Sequence, residues 1–154
     1  MRVRVLAAGT RLPGWLNEGF AEYAKRMPRE TPLELTEIAL ARGAGSVAAA
    51  RREEGGRMLA ALGEGCYVVA LEVGGRSYST EALARFWAAR LNDGRDPAFL
   101  IGGPEGLDEA CLARADERLS LSALTLPHGL ARVVLAEQLY RASSLLRGHP
   151  YHRA

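Results

Sequence analysis

Apolar positions along this chain alternate between short runs and helical stripes from one end to the other. Residues 2–8 alternate basic and apolar and then run apolar, as a first strand does. Pro13 suits a first helical turn, and Trp15, Leu16, Phe20 and Tyr23 form the apolar stripe of a helix reaching about Lys25. The prolines in 27–32 break that helix, and Leu33–Ile38 alternates as a second strand. The loop Ala41-Arg42-Gly43-Ala44-Gly45 leads into a helix over 46–62, which the glycines of 63–65 stop. Residues 66–71 make a nearly all-apolar third strand, and Val73-Gly74-Gly75-Arg76 reads as a turn. Ser79 or Thr80 caps a helix that ends near 92–94. Residues 98–101 form a fourth strand, Asp108 caps a short helix to about Ala115, 119–121 form a fifth strand, and 130–146 a final helix.

Strands that alternate with helices and are apolar throughout predict an α/β fold, a mostly parallel sheet with helices on both faces. No repeat, low-complexity tract or linker interrupts 1–154, so one domain is expected. Ligands of such sheets gather at the carboxyl ends of the strands. Those ends are Leu71, Ile101 and the loop after Leu121.

Composition narrows the classes. Apolar residues make up 48% and charged residues 25%, as in ordinary globular domains. A net charge of +2 is too small to declare a binder of naked nucleic acid. Lys25 is the only lysine, so the basic side chains are otherwise arginines, which suit bidentate phosphate contacts but also follow coding bias. Cys66 and Cys111 lie far apart without paired spacing, as reduced cytosolic thiols do. No segment approaches the roughly 20 apolar residues of a membrane span. A cytoplasmic protein without membrane association is expected.

Three segments can carry chemistry. Gly102-Gly103-Pro104-Glu105-Gly106 stops a strand with two glycines, which permit close backbone approach by a ligand; a bare tight turn explains it equally. It is neither a dinucleotide fingerprint nor a phosphate loop followed by lysine. Ser122-Ala123-Leu124-Thr125-Leu126-Pro127 is a mostly apolar loop whose peptide groups can read an adenine edge, or whose leucines are simply core. His128 lies near the start of the last helix, where the dipole disfavours imidazolium and a neutral ring can accept a proton. The tail His149-Pro150-Tyr151-His152-Arg153 combines an aromatic ring with cations, which suits an extruded RNA base; a solvated terminus is the plainer reading. Proline between its histidines argues against a metal site, and none is expected. The last helix is apolar at Leu130, Val133, Val134, Leu135, Leu139, Leu145 and Leu146, with Glu137, Gln138, Arg141 and Ser144 as a second stripe. That width predicts burial on two sides, within one chain or partly against a second subunit.

Read together, Leu100-Ile101-Gly102-Gly103-Pro104-Glu105-Gly106-Leu107, then residues 119–128, then 149–153 resemble the ribosomal RNA large subunit methyltransferase H family. This is a minimal branch of the SPOUT class, the α/β-knot methyltransferases. Ala7-Ala8-Gly9-Thr10 and Trp15, Gly19-Phe20 and Glu22-Tyr23 match it as well, so the likeness spans essentially the whole chain. The resemblance implies S-adenosylmethionine as methyl donor, and N3 of a pseudouridine in 23S rRNA of the assembled ribosome as acceptor. It also implies a C-terminal trefoil knot and a homodimer. Cofactor contacts then fall on Leu71, Gly103, Ser122, Ala123, Leu124, Thr125, Leu126 and Pro127. His128 becomes the candidate base, and Arg141, Tyr151, His152 and Arg153 the candidate RNA-holding groups. One departure is the loop 41–45, which carries a lone Arg42 where the family has a longer, lysine-rich loop.

Two other classes fit parts of the sequence. A non-catalytic ribosome-associated protein would share the fold, and a nucleotide-dependent enzyme would use the glycine loop for phosphate. The intact loop and tail motifs argue against the first, and the missing lysine and fingerprint against the second.

Overall fold

The computed structural model describes residues 1–153, with side chains through Tyr151. Its strands are β1 (Val3–Ala8), β2 (Leu33–Ile38), β3 (Tyr67–Ser77), β4 (Pro97–Ile101) and β5 (Glu117–Ser120). Its helices are α1 (Gly14–Ala24), α2 (Val47–Leu62), α3 (Thr80–Asp93), α4 (Glu109–Arg114) and α5 (His128–Leu146), with a short 3-10 turn over Pro150–Arg153. The strands form one sheet in the order β2-β1-β4-β3-β5, and every neighbouring pair is parallel.

Local signals in the sequence account for most boundaries. Ser46 Oγ accepts the Ala49 N–H at 3.0 Å, Ser79 Oγ that of Ala82 at 3.1 Å, and Asp108 that of Ala110 at 3.3 Å. Each side chain thereby satisfies an amide that has no partner within its helix. Gly94, in the left-handed region at φ 75°, closes α3. Arg4 reaches from β1 to the Leu62 and Ala61 carbonyls, which α2 leaves free at its carboxyl end.

Alternation along the central strands feeds two cores. Val3, Val5, Ala7, Val69, Phe99 and Ile101 point to the face covered by α1, α3 and α5, where Phe20, Trp87, Leu135 and Leu139 meet them. Leu6, Ala8, Val68, Ala98 and Leu100 point to the opposite face, against Met58 and Leu62 of α2 and Cys111 of α4. Both cysteines are free and buried, and burial pushes the Cys111 thiol up to about 11. The core thiol is therefore protonated and unreactive near neutral pH.

Three boundaries depart from expectation. β3 runs on to Ser77: Leu71 and Arg76 both pair with Leu119, and residues 72–75 bulge out between them. The glycines read as a turn thus form an excursion within a strand; Gly75 lies so close to β5 that a Cβ there would come within 2.8 Å of the Leu119 backbone. β5 begins at Glu117, because an edge strand can carry charged residues outward that a buried strand cannot. α5 begins at His128, directly after Pro127. It packs against both α1 and α3, so burial on two sides is supplied within this chain.

Candidate methyl-donor site

The bulge of β3 and the carboxyl ends of β4 and β5 open on one cavity of about 940 Å³. Its walls are the β3 bulge, the loop 102–107, and the loop 121–127 with the start of α5. Leu71, Gly103, Ser122, Leu124, Thr125, Leu126, Pro127 and His128 all line it, so residues far apart in sequence converge as expected. Ala123 lies exposed in the same loop without lining the cavity. The volume lies in the range of sites for drug-sized ligands.

The glycine loop is closed on itself. The Gly106 N–H donates to the Gly103 carbonyl at 3.0 Å, and Gly106 takes φ 84°. A Cβ on Gly102 would come within 2.5 Å of the Gly106 backbone, so side-chain absence is obligatory there. A Cβ on Gly103 would meet the tip of Leu40 at 2.9 Å, a side chain that can give. Of the two glycines that the sequence offers for close approach, Gly102 holds the loop's shape and Gly103 stands at the wall.

The loop before α5 offers both apolar cover and hydrogen-bonding edges. Ser122 is used internally: its carbonyl accepts from Ser120 Oγ at 3.0 Å, and its Oγ accepts the Leu124 N–H at 2.9 Å. The peptide groups of Ala123, Thr125 and Leu126 have no partner among the described residues. Leu124 is 75% exposed, which nothing in this chain's own packing explains. An aromatic heterocycle with a ribose fits such a lining: leucine covers its faces and free peptide groups meet its edges. The donor set therefore fits S-adenosylmethionine.

His128 is half-buried at the wall. Burial, and after it the Arg132 guanidinium, hold its imidazole below the ordinary value of 6.5, so the ring is neutral near pH 7. Arg132 was not picked out from the sequence, and it is 2% exposed. A lone arginine in an apolar stripe gives no signal of its own, since arginines line solvated helix faces far more often.

Arg141 and Tyr151 lie elsewhere. Arg141 Nε donates to Glu137 Oε1 at 2.9 Å, and the Tyr151 hydroxyl donates to the same oxygen at 3.0 Å. The Tyr151 ring packs 4.7 Å from that of Tyr140, with Tyr23 completing the cluster. Burial, with Tyr23 and Glu137 beside it, raises the Tyr151 phenol far above its usual range. Gln138 links Glu137 to Thr80 of α3, and Ser144 of the same stripe is fully buried. The side chains of His152 and Arg153 lie outside the described residues. Among the described residues, no cluster of three His, Cys, Asp or Glu side chains could hold a metal ion.

Residues 1–152 match a family model described as "Predicted SPOUT methyltransferase". The chain belongs to the SPOUT methyltransferase family. It is 58% identical to a protein of Alkalilimnicola ehrlichii and 55% identical to one of Thioalkalivibrio sulfidiphilus, covering 100% and 99% of each of the two chains compared. Both relatives are named ribosomal RNA large subunit methyltransferase H. Among solved structures, a probable methylase family protein from Haemophilus influenzae has a similar fold, at TM-score 0.63 and 15% identity, over 97% of this chain and 69% of that one. The fold and the family thus agree on a SPOUT methyltransferase, and the cavity is its candidate donor site.

Proposed function

We propose that this SPOUT methyltransferase binds S-adenosylmethionine in the cavity and methylates N3 of a pseudouridine in 23S rRNA of the assembled ribosome. The observation that carries the donor reading is the row of unpartnered peptide groups at Ala123, Thr125 and Leu126, set in an apolar loop at the strand ends. The shared name of the relatives supports large-subunit rRNA as the acceptor molecule.

The donor supplies a methyl group already activated on sulfonium, so the chain's task is alignment and proton removal. Leu71 and Leu126 cover apolar ligand surface, Gly103 allows close backbone approach, and the peptide groups of 122–127 meet the adenine and ribose. The acceptor N3 must lose its proton as the new N–C bond forms. His128, neutral at pH 7, takes that proton on an imidazole nitrogen.

RNA is held by Arg141, Tyr151, His152 and Arg153, brought to the cavity by a partner subunit. A helix rises about 1.5 Å per residue, which puts Arg141 about 20 Å from His128 along α5 of the same chain. A homodimer closes that gap. The C-terminal knot, one domain spanning 1–154 and a cytoplasmic location complete the proposal. No helix among the described residues is long and apolar enough to cross a membrane.

Tritium transfer from labelled S-adenosylmethionine to ribosomes lacking the modification tests the reading. Label is expected at one pseudouridine of 23S rRNA; donor binding without incorporation would favour a non-catalytic ribosome-associated protein.

A further inference from the structure

Among the described residues, Arg132 is the one charged residue in the buried interior, and its guanidinium addresses two other chain segments at once. Nη1 donates to Glu37 Oε2 at 2.6 Å, near the carboxyl end of β2. Nη2 donates to the carbonyls of Gly9 at 2.8 Å and Ala8 at 3.3 Å, where β1 ends. The Gly9 N–H in turn donates to the Ile38 carbonyl at 2.7 Å. Gly9 takes φ 117°, and a Cβ there would sit 3.3 Å from His128 Nε2 and 3.4 Å from Arg132 Nη2. The turn after β1 therefore lies directly against both the imidazole and the guanidinium.

We propose that Arg132 is a positioning residue for methyl transfer: by tying the ends of β1 and β2 to the first turn of α5, it fixes the His128 imidazole against Gly9 at the cavity wall. The inference rests on the methyl-donor reading of that cavity. A buried arginine is a poor stabilising device, because desolvation offsets its Coulombic gain and an apolar side chain of similar size serves as well. Its planar fork, however, meets two carbonyls and a carboxylate together, which lysine cannot do. His128 and Arg132 are one helical turn apart and share a face. The positive charge of the guanidinium also opposes protonation of the ring beside it. The charged group that acts on the imidazole is Arg132 of its own helix, whose guanidinium holds Glu37 of β2 and the Gly9 carbonyl at the end of β1.

The test uses the full chain with Arg132→Lys, Arg132→Met and Glu37→Gln. Donor affinity is read by calorimetry, turnover with unmodified ribosomes, and the His128 ring by NMR titration of the free protein, assigned against His128→Asn. In Arg132→Lys and Glu37→Gln, kcat is expected to fall about 10- to 100-fold, as for a misplaced reacting group. Donor Kd is expected to stay within about threefold. In Arg132→Met the His128 midpoint is expected to move up; should that variant fail to fold, the other two carry the test. Wild-type turnover in folded Arg132→Lys and Glu37→Gln overturns the proposal. So does a loss of kcat and donor affinity in parallel, which marks a merely structural role. Failure of the wild-type protein to bind donor would instead sink the methyl-donor reading, and the NMR titration still reports on the Arg132–His128 coupling.

Discussion

At the amino end of α5, the peptide groups of Thr125 and Leu126 and the ring of His128 stand around a cavity with no hydrogen-bond partner among the described residues. At its carboxyl end, Glu137 alone accepts from Arg141, Gln138 and Tyr151, and three tyrosines close over one another. Both ends are built from aromatic, hydroxyl and basic residues, and in sequence both look like ligand sites. The difference lies in how much hydrogen-bonding capacity each retains after folding. Polar groups already paired inside the chain must give up those bonds to hold a ligand, whereas unpaired groups at an open cavity give up only water. The first end is ready for a ligand as it stands. The second must exchange bonds, which fits groups that act when another surface docks.

Four substitutions and a change of pH break or sharpen that contrast. The largest effect is expected for Gly102→Ala at the cavity end, where the new Cβ meets backbone 2.5 Å away. It should cost about 1–3 kcal/mol in urea denaturation and weaken S-adenosylmethionine binding about a hundredfold by calorimetry. Gly103→Ala meets only the Leu40 side chain and should cost less stability; equal losses would contradict the distinction between the two glycines.

Leu124→Ala comes next. Because Leu124 is 75% exposed, thermal stability should stay within about 0.5 kcal/mol of wild type. Loss of its apolar cover should still weaken donor binding about tenfold, the equivalent of roughly 1.4 kcal/mol. Unchanged affinity would remove the loop from the donor site.

Tyr151→Phe, at the other end, deletes the hydroxyl that donates to Glu137. A stability loss of about 1 kcal/mol is expected, with calorimetric donor affinity unchanged. A large affinity loss in the isolated chain would show the two ends to be coupled.

The smallest effect concerns pH. The folded His128 midpoint lies below the unfolded value of 6.5, so the unfolded chain binds more protons between the two. The contribution is complete above pH 6.5 and is lost as pH falls through the lower folded midpoint. Denaturant curves at about pH 7.5 and about pH 5 should therefore show wild type losing stability on acidification by an increment that His128→Gln lacks. A stability that rises on acidification through His128 would reverse the sign and the assigned cause.

Much of this architecture is legible along the chain. Ser79 and Asp108 cap the helices they announce, and the apolar runs of β1, β3 and β4 are the strands buried on both faces. The bulge at 72–75 is not legible, because Gly74-Gly75 signals a turn whether the chain leaves the sheet or rejoins it. The start of β5 is hidden by Glu117 and Arg118, whose charge is tolerated only because that strand lies at the sheet edge. Gly102 and Gly103 are indistinguishable as letters; what separates them is whether backbone or a movable side chain faces the missing Cβ.

The sequence by itself determined the alternation of strands and helices, the caps, the all-apolar strands that require a covered parallel sheet, and the family motifs at the strand ends. These are local properties, written in side-chain periodicity and in the groups that satisfy helix termini. Only the tertiary structure decided which polar groups remain unpaired, that Arg132 is buried between Glu37 and the end of β1, and that Tyr151 and Arg141 converge on Glu137. Those outcomes depend on residues up to 124 positions apart meeting within hydrogen-bonding distance. Such pairings follow from packing the two cores, and no local pattern encodes them.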